Sequence, residues 1–279
     1  MIVAFFSGGK DSAVASHIAY TYAKKIKEEF KLVHVNTKIN ITETEEFVKK
    51  FADWLGVELT ILEPKGDYWE YVKKWGYPML PNMRWCFHHL KQDPIIEFMY
   101  SEFKKGVLYP TYCLGIRRDE SRFRFDNYEK KWYFRKDHKI TYKVWLPILY
   151  WNDQLIFNYI KKYNIPINPV WKRIGLSGEC LCMSGASLNL LNKVLDNYPE
   201  IAELFAKKDK EVLEFRKKNN KPIGYPAPLL ALKIPLHKYI EQRKKQLKII
   251  QFSEECDSQK CMDCFATTLI SFLETKENG

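Results

Sequence analysis

Nowhere in the 279 residues does an apolar run reach the roughly 18 positions that a membrane-crossing helix requires. Internal repeats and low-complexity stretches are also lacking, which sets aside solenoids and linker-like chains. The apolar start, Met1-Ile2-Val3-Ala4-Phe5-Phe6, is only a strand long and has neither a basic n-region nor a cleavage site. No secretion signal is therefore expected, and a cytoplasmic chain without membrane attachment is. Without that oxidising context, the seven cysteines argue against a disulfide framework. What is present is a globular composition, 46% hydrophobic, with 45 Lys and Arg against 34 Asp and Glu. The formal excess of +11 suits polyanions, either nucleotides or a nucleic acid such as DNA or tRNA. Solvated helix faces such as Lys24-Lys25-Ile26-Lys27-Glu28-Glu29 would account for much of the same charge.

The pattern along the chain predicts an α/β fold. Strands are expected at 2–6, 32–35 and 57–62, with helices at about 12–30 and from Thr42 to Leu55, where Gly56 stops the second. Thr42-Glu43-Thr44-Glu45 reads as its cap. Strand alternating with helix is the signature of a parallel sheet covered by helices. Further strands are expected within 107–114 and 143–146. Beyond Trp151 the character becomes helical, with helices at 152–163, across much of 188–215 and at 238–247. A nucleotide-binding α/β domain over 1–150 and a helical, cysteine-bearing region over 151–279 are expected.

The strongest local signal is Ser7-Gly8-Gly9-Lys10-Asp11-Ser12, directly after the first strand. Two glycines let the backbone turn and approach a ligand with no Cβ between them. The helix start behind them offers free N–H groups and the positive end of its dipole to an anion. Ser7 and Ser12 add hydroxyls and Lys10 a cation, which together make a pyrophosphate cradle. The spacing differs from the G-x-x-x-x-G-K-S/T loop. A tight turn capped by Ser12, with Lys10 in solvent, would need fewer of these residues.

This loop resembles the Ser-Gly-Gly-x-Asp-Ser signature of the PP-loop ATP pyrophosphatases, the adenine nucleotide α-hydrolase superfamily. Arg84-Trp85-Cys86-Phe87-His88-His89-Leu90-Lys91-Gln92-Asp93-Pro94 resembles the R-x-C-S/T-x-x-x-K-x-x-P segment of the phosphoadenylyl-sulfate (PAPS) reductase family. Gly115-Ile116-Arg117-Arg118-Asp119-Glu120-Ser121, with Arg124, is similar to its G-x-R-x-x-E-S-x-x-R segment. Trp145-Leu146-Pro147-Ile148, Trp151 and Ile165-Pro166-Ile167-Asn168-Pro169 complete the resemblance, which covers residues 1 to about 185. Phe87 departs from the family's hydroxyl residue. The resemblance implies cleavage of ATP, with Mg2+, between the α and β phosphates. It assigns nucleotide binding to Ser7, Gly8, Gly9, Lys10, Asp11, Ser12, Asn36, Thr37, Gly115, Arg117 and Arg124. Lys10, Asp11, Lys91 and Arg117 are the expected catalytic residues. Lys91, Arg117 and Arg124 form a basic set suited to phosphate or sulfate; surface pairing of the arginines with Asp119 or Glu120 is the plainer alternative. Cys86 is either reactive, beside Arg84 and His88, or a core thiol.

Five cysteines sit in two clusters, Cys180-Leu181-Cys182 and Cys256, Cys261 and Cys264. The second has C-x4-C-x2-C spacing, known from iron–sulfur proteins, and four thiolates also suit tetrahedral zinc. Metal ligation by these five is expected, and iron–sulfur members of the family favour a 4Fe-4S cluster over zinc. Such a site would staple the C-terminal part to residues 180–182. The functional expectation is ATP-driven activation of an acceptor for sulfur transfer, with nucleic acid as a candidate acceptor and a separate protein as sulfur donor. A PAPS or APS reductase, a sulfate adenylyltransferase-like enzyme and a non-catalytic nucleotide-binding scaffold are the alternatives. The intact loop argues against plain reduction.

Overall fold

The computed structural model describes residues 1–78, 84–120, 125–126, 128–137, 140–183, 186–222, 232 and 234–255. Six strands form one sheet. β1 (Ile2–Phe5), β2 (Phe30–Val35), β3 (Leu59–Leu62), β4 (Thr111–Leu114) and β6 (Ile140–Trp145) run parallel, and β5 (Trp132–Asp137) lies antiparallel to β6 at one edge. The order across the sheet is β3-β2-β1-β4-β6-β5. This is the α/β architecture expected from the sequence. From β1 the topology runs outward both ways, to β2 on one side and β4 on the other. The carboxyl end of β1 is therefore the switch point at which open α/β sheets bind ligands.

Alternation explains why β1 is covered on both faces. Ile2 and Ala4 enter a core layer with Ala13, Ala19 and Phe51, while Val3 enters another with Phe98, Met99 and Tyr112. Helix α1 (Lys10–Ile26) packs on the sheet through small residues, Ala13, Ala15, Ala19 and Ala23. It begins and ends earlier than the sequence suggests. Gly9 caps it from an extended conformation, Lys27 stops it with φ of 59°, and Phe30 is already paired with Ile2. Helix α2 (Thr42–Leu55) stops at Gly56, which has φ of 68° and donates its N–H to Asp53 O. Its N-cap is Ile41 rather than Thr42, and the buried Thr44 hydroxyl turns away from the helix to Ser177 O.

Three stretches of the α/β part escaped the sequence reading. In α3 (Tyr68–Trp75) the cap is Asp67, whose carboxylate accepts from the N–H groups of Trp69 and Glu70. A short α4 (Trp85–Phe87) runs through a π-helical stretch, His88–Gln92, into α5 (Asp93–Lys104). Pro94, lacking an N–H, sits where the π stretch gives way to α5. The third is β5, and β4 occupies only the last four residues of the expected 107–114 span.

The later chain is helical as expected: α6 (Asp153–Tyr163), α7 (Pro169–Ile174), α8 (Leu188–Asn197), α9 (Pro199–Lys218) and α10 (Leu236–Glu255). Ile156 and Ile160 of α6 share the core of β1 and α1. Helices α8 to α10 enclose a second core with Trp69, Trp85, Leu191, Phe205 and Leu236. Residues 178–181 join the two regions: Ile41 donates to Gly178 O and Leu181 to Ile39 O. Asp209, wholly buried, accepts from Tyr77 Oη at 2.5 Å and from His237 N at 2.9 Å, which anchors the start of α10. Among the described residues no helix is long and apolar enough to cross a membrane.

Candidate active site

The glycine loop closes over the carboxyl end of β1. Gly8 holds φ of +75°, and a Cβ there would approach Thr44 Cγ2 to 2.9 Å, so the turn requires glycine on both counts. Ser12 Oγ donates to Gly9 O at 3.0 Å, lies 3.1 Å from Ser7 Oγ, and accepts from Ser7 N at 3.3 Å. These bonds set the two hydroxyls together at the first turn of α1. Gly115, just past β4, meets the loop from the far side; a Cβ on it would lie 2.7 Å from both Ser12 Cα and Ser12 N. Asn168 secures a third side. Its Nδ2 donates to Gly8 O and to Ser177 O, each at 3.0 Å, and its Oδ1 accepts from Val170 N at 2.9 Å.

Two nearly buried cations face the resulting cleft of about 380 Å³, Lys10 at 9% and Arg117 at 6% exposure. Lys10 Nζ lies 2.9 Å from Asp11 Oδ1 and 3.0 Å from Asp153 Oδ1, with the rings of Phe157 and Trp171 at 5.9 and 5.8 Å. Arg117 places Nε 3.1 Å from Asp11 and Nη2 3.0 Å from Asp153. The Nε approach lacks hydrogen-bond alignment, so the contact with Asp11 is coulombic. Asp153, at the first position of α6, is 65% exposed, and its hydrogen bond from Lys10 holds its carboxyl below the usual range. The cleft thus holds two cations, Lys10 and Arg117, against three carboxylates, Asp11, Glu120 and the largely exposed Asp153. An arriving polyphosphate can take over the cations while the carboxylates turn to a divalent cation.

The structure brings Ser7, Gly9, Lys10, Asp11, Ser12, Gly115 and Arg117 to this one cleft. Other expected residues lie elsewhere. Thr37 is wholly buried and its hydroxyl donates to Glu179 O at 2.8 Å. Asn36 joins a network with Asn40 and Glu45. Lys91, on the π-helical stretch, meets Glu179 at 2.8 Å instead of the phosphate cleft. Burial works against its charge, but Glu179 and the neighbouring thiols of Cys180 and Cys182 raise its pKa. Arg124 lies outside the described residues, as do Cys256, Cys261 and Cys264.

Behind Lys91 the thiols converge. Cys86 Sγ lies 3.8 Å from Cys182 Sγ, and Cys180 pairs with Cys182 in turn. The bond from Cys182 lowers the Cys86 pKa against the effect of burial, whereas hydrogen bonding and burial push Cys180 well above the usual thiol range. Cys113 is apart from them, a core thiol raised by burial. Among the described residues no group of three or more His, Cys, Asp or Glu has a metal-ligating arrangement. Sequence reasoning missed Asp153, Asn168 and the place of Cys86 in this cluster. Asn168 and Cys86 both stood in recognised motifs, while Asp153 carried no local signal.

A glycine-rich turn at the switch point of a mostly parallel sheet, faced by buried Lys and Arg, defines an α/β protein with a candidate anion site. Residues 1–177 match the sequence profile of the phosphoadenosine phosphosulfate reductase domain, and the chain belongs to that family. An uncharacterised protein of Methanocaldococcus jannaschii is 31% identical over 199 residues, 70% of this chain and 44% of that protein. Adenosine 5'-phosphosulfate reductase of Staphylococcus haemolyticus is 23% identical over 60% of this chain and 63% of its own length. Sulfate adenylyltransferase subunit 2 of Sulfurimonas denitrificans is 28% identical over 61% of this chain and 59% of its own length. The chain thus spans about half to three fifths of the curated relatives it matches.

Proposed function

We propose that the chain binds ATP with Mg2+ at the glycine loop, cleaves it to AMP and pyrophosphate, and so activates an acceptor for sulfur transfer. The observation that carries this is the convergence of Lys10 and Arg117, both nearly buried, on a loop that keeps both glycines and both serines. An acceptor oxygen attacks the α phosphorus, the bond to the bridging oxygen breaks, and pyrophosphate leaves with that oxygen. Free N–H groups of the loop and the two cations stabilise charge that grows on the leaving group. Asp11 and Asp153 supply oxygen ligands for Mg2+. A sulfur nucleophile then displaces AMP. The basic excess favours a nucleic acid as acceptor, with a separate sulfur donor protein.

Cys180 and Cys182 would hold a soft metal centre, either a 4Fe-4S cluster or zinc, together with thiols of Cys256, Cys261 and Cys264 and with Cys86 as a neighbouring candidate ligand. For Cys86 and Cys182 the fit rests on their separation of 3.8 Å, close to the sulfur–sulfur edge of one tetrahedral metal such as zinc with metal–sulfur bonds of about 2.3 Å. A 4Fe-4S cluster binds each thiolate to a different iron and would need the thiols farther apart. An iron–sulfur centre would supply a Lewis-acid position for sulfur. Among the curated relatives, the adenylyltransferase subunit supports adenylation and the reductase points to sulfite formation.

The test is pyrophosphate release from ATP by anaerobically purified protein, with and without RNA or DNA. Release that disappears in Lys10→Ala supports the proposal. Sulfite from PAPS or APS with thioredoxin, and no pyrophosphate from ATP, would replace it with the reductase reading.

A further inference from the structure

The β5–β6 hairpin carries a surface that the phosphate cleft does not use. Strand residues alternate between faces, so Trp132, Phe134 and Lys136 share one face, opposite Trp145, Lys143 and Thr141 of β6. Core packing does not account for the aromatic pair, because Phe134 is 69% exposed and Trp132 is 37% exposed. Trp132 lies flat on Trp145, with ring centroids 4.7 Å apart and planes 5° from parallel. Tyr22 of α1, itself 40% exposed, meets Trp145 edge-on at 5.3 Å. The Lys143 ammonium rides 3.7 Å from the Trp132 ring centroid.

Charge reinforces the pattern. On this face Lys136 and Lys143 make no ion pair among the described residues, while Arg135 lies on the opposite face of the edge strand. The six residues of β5 extend about 20 Å. One end of this strip adjoins the phosphate cleft: Leu146 donates to Lys131 O, and Tyr150, three residues before Asp153, donates its hydroxyl proton to Glu129 O.

Exposed aromatics at alternate strand positions, flanked by cations without counter-charges, match bases stacked on rings with their phosphates alongside. Because β6 is paired with β4 as well as β5, the hairpin is not the free two-stranded ribbon that a major groove admits, and the Lys and Arg of an edge strand oppose pairing with a second copy. Bases stay unpaired in the loops and bulges of folded RNA. We infer that this face binds an unpaired segment of RNA and leads it toward the loop of Ser7–Ser12. The inference gives a chemical class to the nucleic-acid acceptor of the proposed reaction and rests on that reading for its purpose. Binding is measured without ATP, so the two fail separately.

The experiment is fluorescence anisotropy of the full chain with a labelled unpaired RNA, the same sequence as DNA, and a duplex RNA. Unpaired RNA binds more tightly than either competitor. Phe134→Ser, which disturbs little packing, weakens it about tenfold. Lys136→Gln with Lys143→Gln, both on this face, lowers the slope of log affinity against log salt by about 0.7 for each phosphate that the variant no longer neutralises. All variants keep the parental melting temperature and ATP binding. Unchanged RNA affinity and salt slope in these variants overturn the inference. So does tighter binding of the DNA strand, or a dimer in sedimentation that Phe134→Ser dissociates.

Discussion

Gly115→Ala tests the geometry of the site most directly. The added Cβ would stand 2.7 Å from Ser12 Cα and N and 2.9 Å from Asp11 C. That is about 0.7 Å short of the 3.4 Å at which ordinary contact begins. Neither side yields easily, because Ser12 belongs to the first turn of α1 and residue 115 follows a strand paired with β1 on one side and β6 on the other. Overpacking of this kind costs about 1–3 kcal/mol. The forced shift also separates Lys10 and Asp11 from Arg117, two residues beyond the glycine. Misplacing catalytic groups by about 1 Å can lower a rate on the order of 100-fold. We therefore expect pyrophosphate release to fall by about that factor. Gly56→Ala is the matched control. Its φ of 68° penalises alanine by about 1–2 kcal/mol, but nothing lies within 4 Å and the site is remote. Its melting temperature should drop comparably while release per folded molecule stays parental. A parental rate in Gly115→Ala would refute the close approach and with it the placement of Arg117.

Asn168→Ala removes donors from Gly8 O and Ser177 O and an acceptor from Val170 N, so urea unfolding should show a loss of about 3 kcal/mol, and calorimetry a weaker hold on ATP. His34 is buried, and burial holds its pKa below the usual 6.5 although its bond to Phe6 O opposes the shift. The unfolded chain therefore takes up a proton that the folded one refuses, and stability present above pH 6.5 is lost as pH falls towards the folded pKa. His34→Asn keeps a donor for Phe6 O and should flatten the acid side of the melting-temperature profile, leaving a residual slope from His17. Cys86→Ser should lower the iron or zinc content of anaerobically purified protein as far as Cys182→Ser does, whereas Cys113→Ser should leave it intact; metal content in Cys86→Ser as high as in Cys113→Ser, with loss in Cys182→Ser, would remove Cys86 from the centre.

The local features of the site were legible because local physics creates them. The turn at Gly8 and Gly9 and the stop at Gly56 need glycine, and β1 is apolar because both faces are covered. The helical later half was legible from its 3.6-residue periodicity. The edge strand β5 was missed because three consecutive aromatics, Trp132 to Phe134, are followed by Arg135, Lys136 and Asp137, so the apolar–polar alternation of a strand is absent. Asp153 and Asn168 were missed for another reason. Asp153 and Lys10 meet across 143 residues, and Asn168 and Gly8 across 160, separations at which no sequence window sees both partners. Cys86 was visible as a motif residue, but its approach to Cys182 spans 96 residues.

The loop of Ser7–Ser12 leaves the ribosome well before its braces, because its turn at Gly8 is held by Thr44, Asn168 and a segment through Ser177 that follow it in the chain. At about 5–20 residues per second, the 160 residues to Asn168 take roughly ten to thirty seconds to synthesise. Through that interval the nascent chain has β1 and α1 but no finished cradle. The grip proposed for the loop would thus wait for synthesis through Ser177, and a chain released earlier would carry the signature of the site without it.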